Sequence, residues 1–139
     1  MHTAQLDVQE FHQALDIPVG DYTKPSISRP DLRADLILEE ARETAEAILG
    51  KRIQIVIDDE EPLESGPDLA EAIDGMCDIL VVTYGTAIEF GIDLMPYWNE
   101  VHRTNMAKKG GPVRDDGKRL KPPGWKDPDV KGILERSTK

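Results

Sequence analysis

The chain has 139 residues, of which 39% are hydrophobic and 5% aromatic, a composition that fits one helix-rich domain and disfavours a disordered chain or a β-barrel. Its formal net charge of −10 is unevenly placed: residues 1–102 carry 6 basic and 22 acidic side chains, whereas residues 103–139 carry 11 basic and 5 acidic ones. Because so acidic a body repels a phosphate backbone, polymeric nucleic acid is excluded as the main partner.

Cysteine content and hydropathy indicate the cellular compartment of the protein. The single cysteine, Cys77, excludes an internal disulfide framework and a cysteine-based zinc site. The N-terminal residues lack the pattern of a signal peptide, and no segment approaches 18 uninterrupted apolar residues. We therefore expect a cytoplasmic protein that does not span or bind a membrane.

Apolar periodicity predicts four helices in chain order. They are expected at residues 5–15, 31–49, 68–91 and 94–109. Between the second and third, residues 53–57 fit a strand, a packed loop or a helix extension equally well. The last segment, residues 110–139, is rich in proline, glycine and charge, and is expected to form an irregular basic tail.

These elements predict an all-α protein in which residues 1–139 form a single domain of four to five helices. The helical stripes are strongly apolar for helices of this number and length. Stripes of this kind are better covered by a second copy of the chain than by water. We therefore expect a helical bundle that is completed by oligomerisation, as a homodimer or a homotetramer.

The second predicted helix carries a row of glutamates in the segment LILEEARETAEAI, among them Glu39, Glu40 and Glu43. Glu40 and Glu43 are three residues apart, so their carboxylates lie on one face, where two oxygens can reach the same cation. Such rows are mostly solvated faces. Here, however, Leu36 and Ala47 share the line of Glu40 and Glu43, which places both carboxylates near the face that packs inward.

The third predicted helix carries Glu71, Asp74 and Asp78 along a single stripe. Asp78 directly precedes the apolar run of residues 79–82, where an unpaired carboxylate would cost several kcal/mol. No lysine or arginine occurs between residues 53 and 102 to neutralise these acids. A divalent metal is the simplest neutraliser, and oxygen-only ligands select Mg²⁺, with Mn²⁺ as a substitute.

With these two acidic rows the chain resembles the all-α nucleoside triphosphate pyrophosphohydrolases. That group includes MazG-like proteins, dimeric dUTPases, dCTP pyrophosphatases and phosphoribosyl-ATP pyrophosphohydrolases, and its signature is Glu-x-x-Glu, a gap, then Glu-x-x-Asp. The likeness covers residues 30–125, and the segments DGMCDILVVTYGTAIEFGID and EVHRTNMAKKG are most similar to the phosphoribosyl-ATP pyrophosphohydrolase-like branch. The resemblance implies a MazG-like helical bundle that acts on a nucleotide with Mg²⁺.

The second half of this signature can be placed in two registers. Read literally, Glu71 and Asp74 complete it; in the other register the final aspartate is Asp78, and the glutamate position falls on Gly75. We prefer Asp78, because the family's apolar run directly follows its aspartate. Asp74 then replaces the missing glutamate, and Glu71 becomes a reserve ligand. The expected metal ligands are Glu40, Glu43, Asp74 and Asp78.

The resemblance also assigns phosphate and catalytic residues. The family's matching asparagine and basic positions contact the triphosphate, which implies Asn105 and Lys108 here, although lysines near a helix C-terminus also simply favour its dipole. In the expected mechanism, a water activated by the metal or by Glu39 or Glu40 attacks the α-phosphorus. His102 is not assigned as a base, because a lone histidine is more often a packing or surface residue.

The implied activity is hydrolysis of a (d)NTP to a (d)NMP and pyrophosphate, with house-cleaning of dNTPs such as dUTP or dCTP as the implied role. The alternatives are phosphoribosyl-ATP hydrolysis and a non-enzymatic helical interaction module whose acids are a solvated surface. The base is expected to be read by the first helix near Phe11 and His12, and by Trp98 or Tyr84. These aromatic side chains fit the core equally well.

Overall fold

The computed structural model describes residues 1–138, which form five α-helices joined by irregular segments. The helices are α1 (Thr3–Ala14), α2 (Pro30–Leu49), α3 (Leu69–Glu89), α4 (Met95–Met106) and α5 (Val130–Ser137). Within this described part, β-pairing is limited to one isolated antiparallel bridge between Val113 and Arg119. The prediction of an all-α protein of four to five helices is confirmed. None of the described helices combines the length and apolarity needed to cross a bilayer.

Local signals place several helix ends where the sequence predicts them. Asp68 caps α3, and its carboxylate accepts a hydrogen bond from the Ala70 amide at 2.9 Å. The Asp93 carboxylate accepts one from the Met95 amide at 3.0 Å at the start of α4. Gly50 ends α2 with a φ of 65°, a left-handed conformation that glycine adopts without steric cost.

The C-terminal tail is more ordered than the sequence predicts. Residues 110–139 are expected to be irregular, but residues 130–137 form α5. The Asp129 carboxylate caps this helix by accepting a hydrogen bond from the Gly132 amide at 3.1 Å. The Asp129 amide in turn donates to Glu100 of α4 at 3.0 Å. Val130, Ile133 and Leu134 share one face of this eight-residue helix, so an apolar pattern and a cap are both present in the sequence, and contact with α4 adds to them.

Helices α1, α4 and α5 form the packed part of the chain, with α4 in contact with both of the others. The Trp98 indole on α4 donates to the Asp7 carboxylate on α1 at 2.7 Å. The Tyr97 and Ser137 hydroxyl groups lie 3.4 Å apart between α4 and α5. Leu15, at the end of α1, is 2% exposed. The intrachain core is therefore centred on α4.

Helices α2 and α3 pack against no other helix of the described chain. Leu32 of α2 is buried, and together with Leu15 it completes the set of buried hydrophobic side chains among residues 1–138. Much of the apolar surface of α3 is exposed instead. Its exposed large apolar residues are Ile73, Met76, Ile79, Leu80, Val81, Val82, Tyr84 and Ile88. Apolar exposure on this scale is typical of an association surface.

Candidate active site

The predicted acidic row of α2 lies beside the C-terminal tail. The Glu39 carboxylate accepts hydrogen bonds from the Lys118 ammonium group at 3.0 and 3.1 Å, and both side chains are partly buried. Glu40 is exposed. Glu43 is also exposed and lies 3.5 Å from the Arg42 guanidinium. The α2 row therefore keeps two accessible carboxylates, one helical turn apart, next to a carboxylate that is already paired.

Asn105 and Lys108 lie half-buried at the end of α4. The Lys108 ammonium group stands 5.3 Å from the centre of the Trp125 indole ring. Burial lowers the pKa of Lys108, neighbouring lysine charges lower it further, and the Glu40 carboxylate opposes both effects. Of the two predicted phosphate ligands, Lys108 is thus within electrostatic reach of Glu40 on α2 in the same chain.

The predicted acids of α3 lie apart from those of α2. Glu71, Asp74 and Asp78 are all exposed, and their helix packs against no other helix in the described chain. One chain therefore presents Glu40 and Glu43 on α2 without bringing either aspartate to them. The four-ligand metal site stays a prediction.

A second group of ligand-type side chains, which was not among the predicted metal ligands, joins α1 to α4. One ligand atom each from Asp7, Glu10 and His102 lies within 4.8 Å of the others. The His102 ring nitrogen is 3.3 Å from the Glu10 carboxylate, and Asp7 also accepts the Trp98 hydrogen bond. Two carboxylates and an imidazole are compatible with a divalent metal. Asp7 and Glu10 are three residues apart, as Glu40 and Glu43 are, so the sequence contains a pattern that could have predicted this group.

Two lysines of the basic tail, Lys118 and Lys121, are also neighbours of the predicted site, although neither was predicted individually as a site residue. The Lys121 ammonium group lies 4.5 Å from the centre of the Trp125 ring. The segment KRLKPPGW, with basic residues directly before a Pro-Pro-Gly-Trp turn, is the signal available in the sequence. The contacts of this segment with Glu39 of α2 and with Thr104 of α4 form only in the folded chain, so the sequence alone does not predict them.

The aromatic side chains expected to read the base occupy different surroundings. Phe11 and His12 stack edge to face on α1, with ring centres 6.1 Å apart. Trp98 is engaged with Asp7 between α1 and α4. Tyr84 is 51% exposed on α3. A base-reading role for these residues remains a prediction.

Comparison with solved structures identifies chains that share this fold. Twelve chains of solved structures match. One is the crystal structure of a "putative NTP pyrophosphohydrolase" from Exiguobacterium sp. 255-15, with 20% identity, 99% of this chain and 96% of that chain covered, and a TM-score of 0.56. At this identity the likeness establishes the fold alone. No curated protein matches the sequence.

The family follows from the sequence itself. The model of the phosphoribosyl-ATP pyrophosphohydrolase family matches residues 8–105, which is most of the chain. The chain belongs to this family. Its general reaction class is therefore pyrophosphohydrolysis, and the matched residues include α2, α3 and all but the last residue of α4, with both acidic rows.

Proposed function

We propose that the protein is a Mg²⁺-dependent nucleoside triphosphate pyrophosphohydrolase. It cleaves a (d)NTP between the α- and β-phosphates and releases a (d)NMP and pyrophosphate. The observation that carries this proposal is the contact of an α2 glutamate with an ammonium group: Lys118 is hydrogen-bonded to Glu39, and the charge of Glu40 raises the pKa of Lys108. A metal-bound triphosphate needs carboxylates for the cation and cationic donors for the phosphates, side by side.

The donors on α2 fit a hard divalent cation. Glu40 and Glu43 are exposed carboxylates one turn apart on one helix, and oxygen ligands of this kind suit Mg²⁺. A magnesium ion held by Glu40 and Glu43, with Asp74 and Asp78, would offset the phosphate charge and polarise the attacking water.

The chain's own residues then divide the remaining work. Asn105 and Lys108 hold the phosphates at the end of α4 and orient the α-phosphorus. Glu39 or Glu40 accepts the proton of the attacking water, whose oxygen forms the new bond to the α-phosphorus. The bond from that phosphorus to the bridging oxygen breaks, and pyrophosphate leaves with the oxygen and its electron pair.

A second copy of the chain completes this site in our proposal. Helix α3 contacts no other helix among residues 1–138, and residues 79–82 expose apolar side chains around its circumference. A helix that is hydrophobic on all sides is typical of a buried position, which here requires another chain. We therefore place Asp74 and Asp78 against the α2 row of a partner copy in a homodimer, or in a homotetramer built from such pairs.

A substrate panel with pyrophosphate detection tests the function. The wild-type chain should release pyrophosphate from at least one nucleoside triphosphate, and only with Mg²⁺ or Mn²⁺ present. Glu43→Gln and Asp78→Asn should abolish turnover while helix content is retained. Glu64→Gln, which neutralises an exposed linker acid, is the matched control and should stay active. Full Mg²⁺-dependent activity in either site variant would refute the site assignment.

Phosphoribosyl-ATP is the second candidate substrate, because the family model that matches residues 8–105 is named for that activity. Including phosphoribosyl-ATP in the panel separates the two, since the true substrate should show the larger kcat/KM. Preference for dUTP or dCTP would favour a house-cleaning role. Family membership favours either enzyme over a non-enzymatic interaction module, which predicts no Mg²⁺ or nucleotide affinity in calorimetry.

A further inference from the structure

The start of the tail folds back as a small hairpin, residues 112–120, which we call the tail hairpin. The Leu120 amide donates to the Pro112 carbonyl at 2.7 Å, and the Arg114 amide donates to the Lys118 carbonyl at 2.8 Å. This fold carries the Lys118 side chain to α2, where its ammonium group meets Glu39 at 3.0 Å. The tail hairpin therefore delivers a cation to the acidic row of the proposed site.

The Trp125 ring contacts two further lysine side chains, Lys108 and Lys121. Its indole N–H donates to the Thr104 carbonyl of α4 at 2.7 Å, which fixes the ring against that helix. The ammonium groups of Lys108 and Lys121 stand 5.3 and 4.5 Å from the ring centre. Cation–π attraction of this kind orients an ammonium group without neutralising its charge. The indole thus holds one lysine from the turn after α4 and one from the tail against a single ring.

This lysine cluster, Lys108, Lys118 and Lys121, carries more positive charge than its carboxylate contacts balance. Lys121 is 3.4 Å from Asp127, whose side chain is 84% exposed, so water screens that pair. Among the described residues Lys108 has no ion-pair partner, although it is half-buried. Like charges gathered in this way repel one another unless an anion binds between them. Burial lowers the pKa of Lys108, and the charges of Lys121 and Lys118 lower it further.

We propose that Lys118 and Lys121 of the tail join Lys108 to bind the β- and γ-phosphates of the substrate, and that Lys118 moves from Glu39 to these phosphates when they arrive. The inference rests on the proposed function, because these phosphates form the pyrophosphate that leaves. Both tail lysines lie beyond the matched residues 8–105, so the family match assigns them no role. The ligand class is a diphosphate group, either free or within a nucleotide.

Binding of inorganic pyrophosphate to the full chain without divalent metal, measured by calorimetry, tests the cluster. Lys118→Met and Lys121→Met should each raise the dissociation constant roughly tenfold, the effect of removing one charge-assisted contact. Lys131→Met removes an exposed lysine of α5 and should change affinity less than twofold. Failure of the wild-type chain to bind pyrophosphate would overturn the inference, as would unchanged affinity in both tail variants.

Glu39→Gln separates phosphate binding from a merely structural role of Lys118. If Lys118 only fastens the tail hairpin to α2, then Glu39→Gln and Lys118→Met should weaken pyrophosphate binding alike. If Lys118 is a phosphate ligand held back by Glu39, then Glu39→Gln should tighten binding severalfold while Lys118→Met weakens it. Lys118→Arg should retain most of the affinity. Weakened binding in Glu39→Gln would overturn the proposed transfer.

Kinetics keep this inference distinct from the proposed function. Lys118→Met and Lys121→Met should raise KM for the nucleotide by more than they lower kcat, because they hold phosphates that the substrate already carries. If no nucleotide is hydrolysed but pyrophosphate binding depends on the tail lysines, the proposed function fails and the inference stands. If nucleotides are hydrolysed with an unchanged KM in both variants, the inference fails and the function stands.

Discussion

Two variants that are each inactive should recover activity when their chains are mixed. The proposed site takes Glu43 from one chain and Asp78 from its partner, because α3 packs against no other helix in the described part of its own chain. Glu43→Gln and Asp78→Asn homodimers therefore lack one ligand in every site. In a mixed dimer, one site receives both amides and the other receives both natural carboxylates. The mixed dimer has one complete site.

The size of the recovery follows from this arrangement. Random exchange of equal amounts makes about half of all dimers mixed, and each has one working site of two, so about one quarter of wild-type activity should return. If α2 and α3 of one chain instead formed the site, no chain would contain both carboxylates. Recovery would then be absent.

The assay needs proof that subunits have exchanged. The two variants carry different affinity tags, are mixed under mildly denaturing conditions, and are refolded; tandem purification then isolates the mixed dimers. Pyrophosphate release with Mg²⁺ is compared with that of each parent treated in the same way. Purified mixed dimers that are no more active than their parents would refute the shared site.

Two further predictions concern assembly and pH. Leu80→Asp on the exposed stripe of α3 should raise the dimer dissociation constant at least a hundredfold, because lost burial and a desolvated carboxylate each cost about 2 kcal/mol or more. Sedimentation velocity measures this effect. Leu63→Asp, at an 80% exposed linker residue, is the control and should assemble like the wild type. Unchanged assembly of Leu80→Asp would contradict the prediction. Hydrogen bonds from Arg103 and the Asp129 amide lower the pKa of Glu100 from 4.5 to about 2. The ionised Glu100 carboxylate therefore stabilises the folded state fully above pH 4.5, and this stabilisation is lost as the pH falls towards 2. The Tm deficit of Glu100→Gln should therefore be largest at neutral pH and shrink below pH 4.5, whereas a deficit independent of pH would show that the charge of this carboxylate is not what stabilises α5.

Helix positions could be predicted where the signal lies within a few residues. The Asp68 cap and the Gly50 stop act on backbone groups in their own helix, so the sequence contains both partners. The α5 helix was not predicted, although its Asp129 cap acts only three residues away and its apolar residues share one face; its long-range contact joins Asp129 to Glu100, which is 29 positions away. Contacts at that separation leave no periodic pattern in the sequence.

In the candidate site, too, the sequence predicts geometry within one helix but not contacts between distant residues. The spacing of Glu40 and Glu43 fixes their common face, since one helix determines it. The pairing of Glu39 with Lys118 spans 79 positions, and it depends on how the tail hairpin folds. The position of Asp78 relative to α2 depends on assembly, which periodicity in one chain does not encode.

The linker between α2 and α3 contains an aggregation-prone segment, and the charged residues on both sides of it oppose aggregation. Residues 53–57, Ile-Gln-Ile-Val-Ile, form neither helix nor strand, and Val56 is 75% exposed. A β-branched run of this kind is prone to stack with identical copies into cross-β structure. Lys51 and Arg52 precede the run, and the acids of residues 58–61 follow it. In-register stacking would bring these like charges within about 5 Å of their copies, so the flanks act as gatekeepers against aggregation.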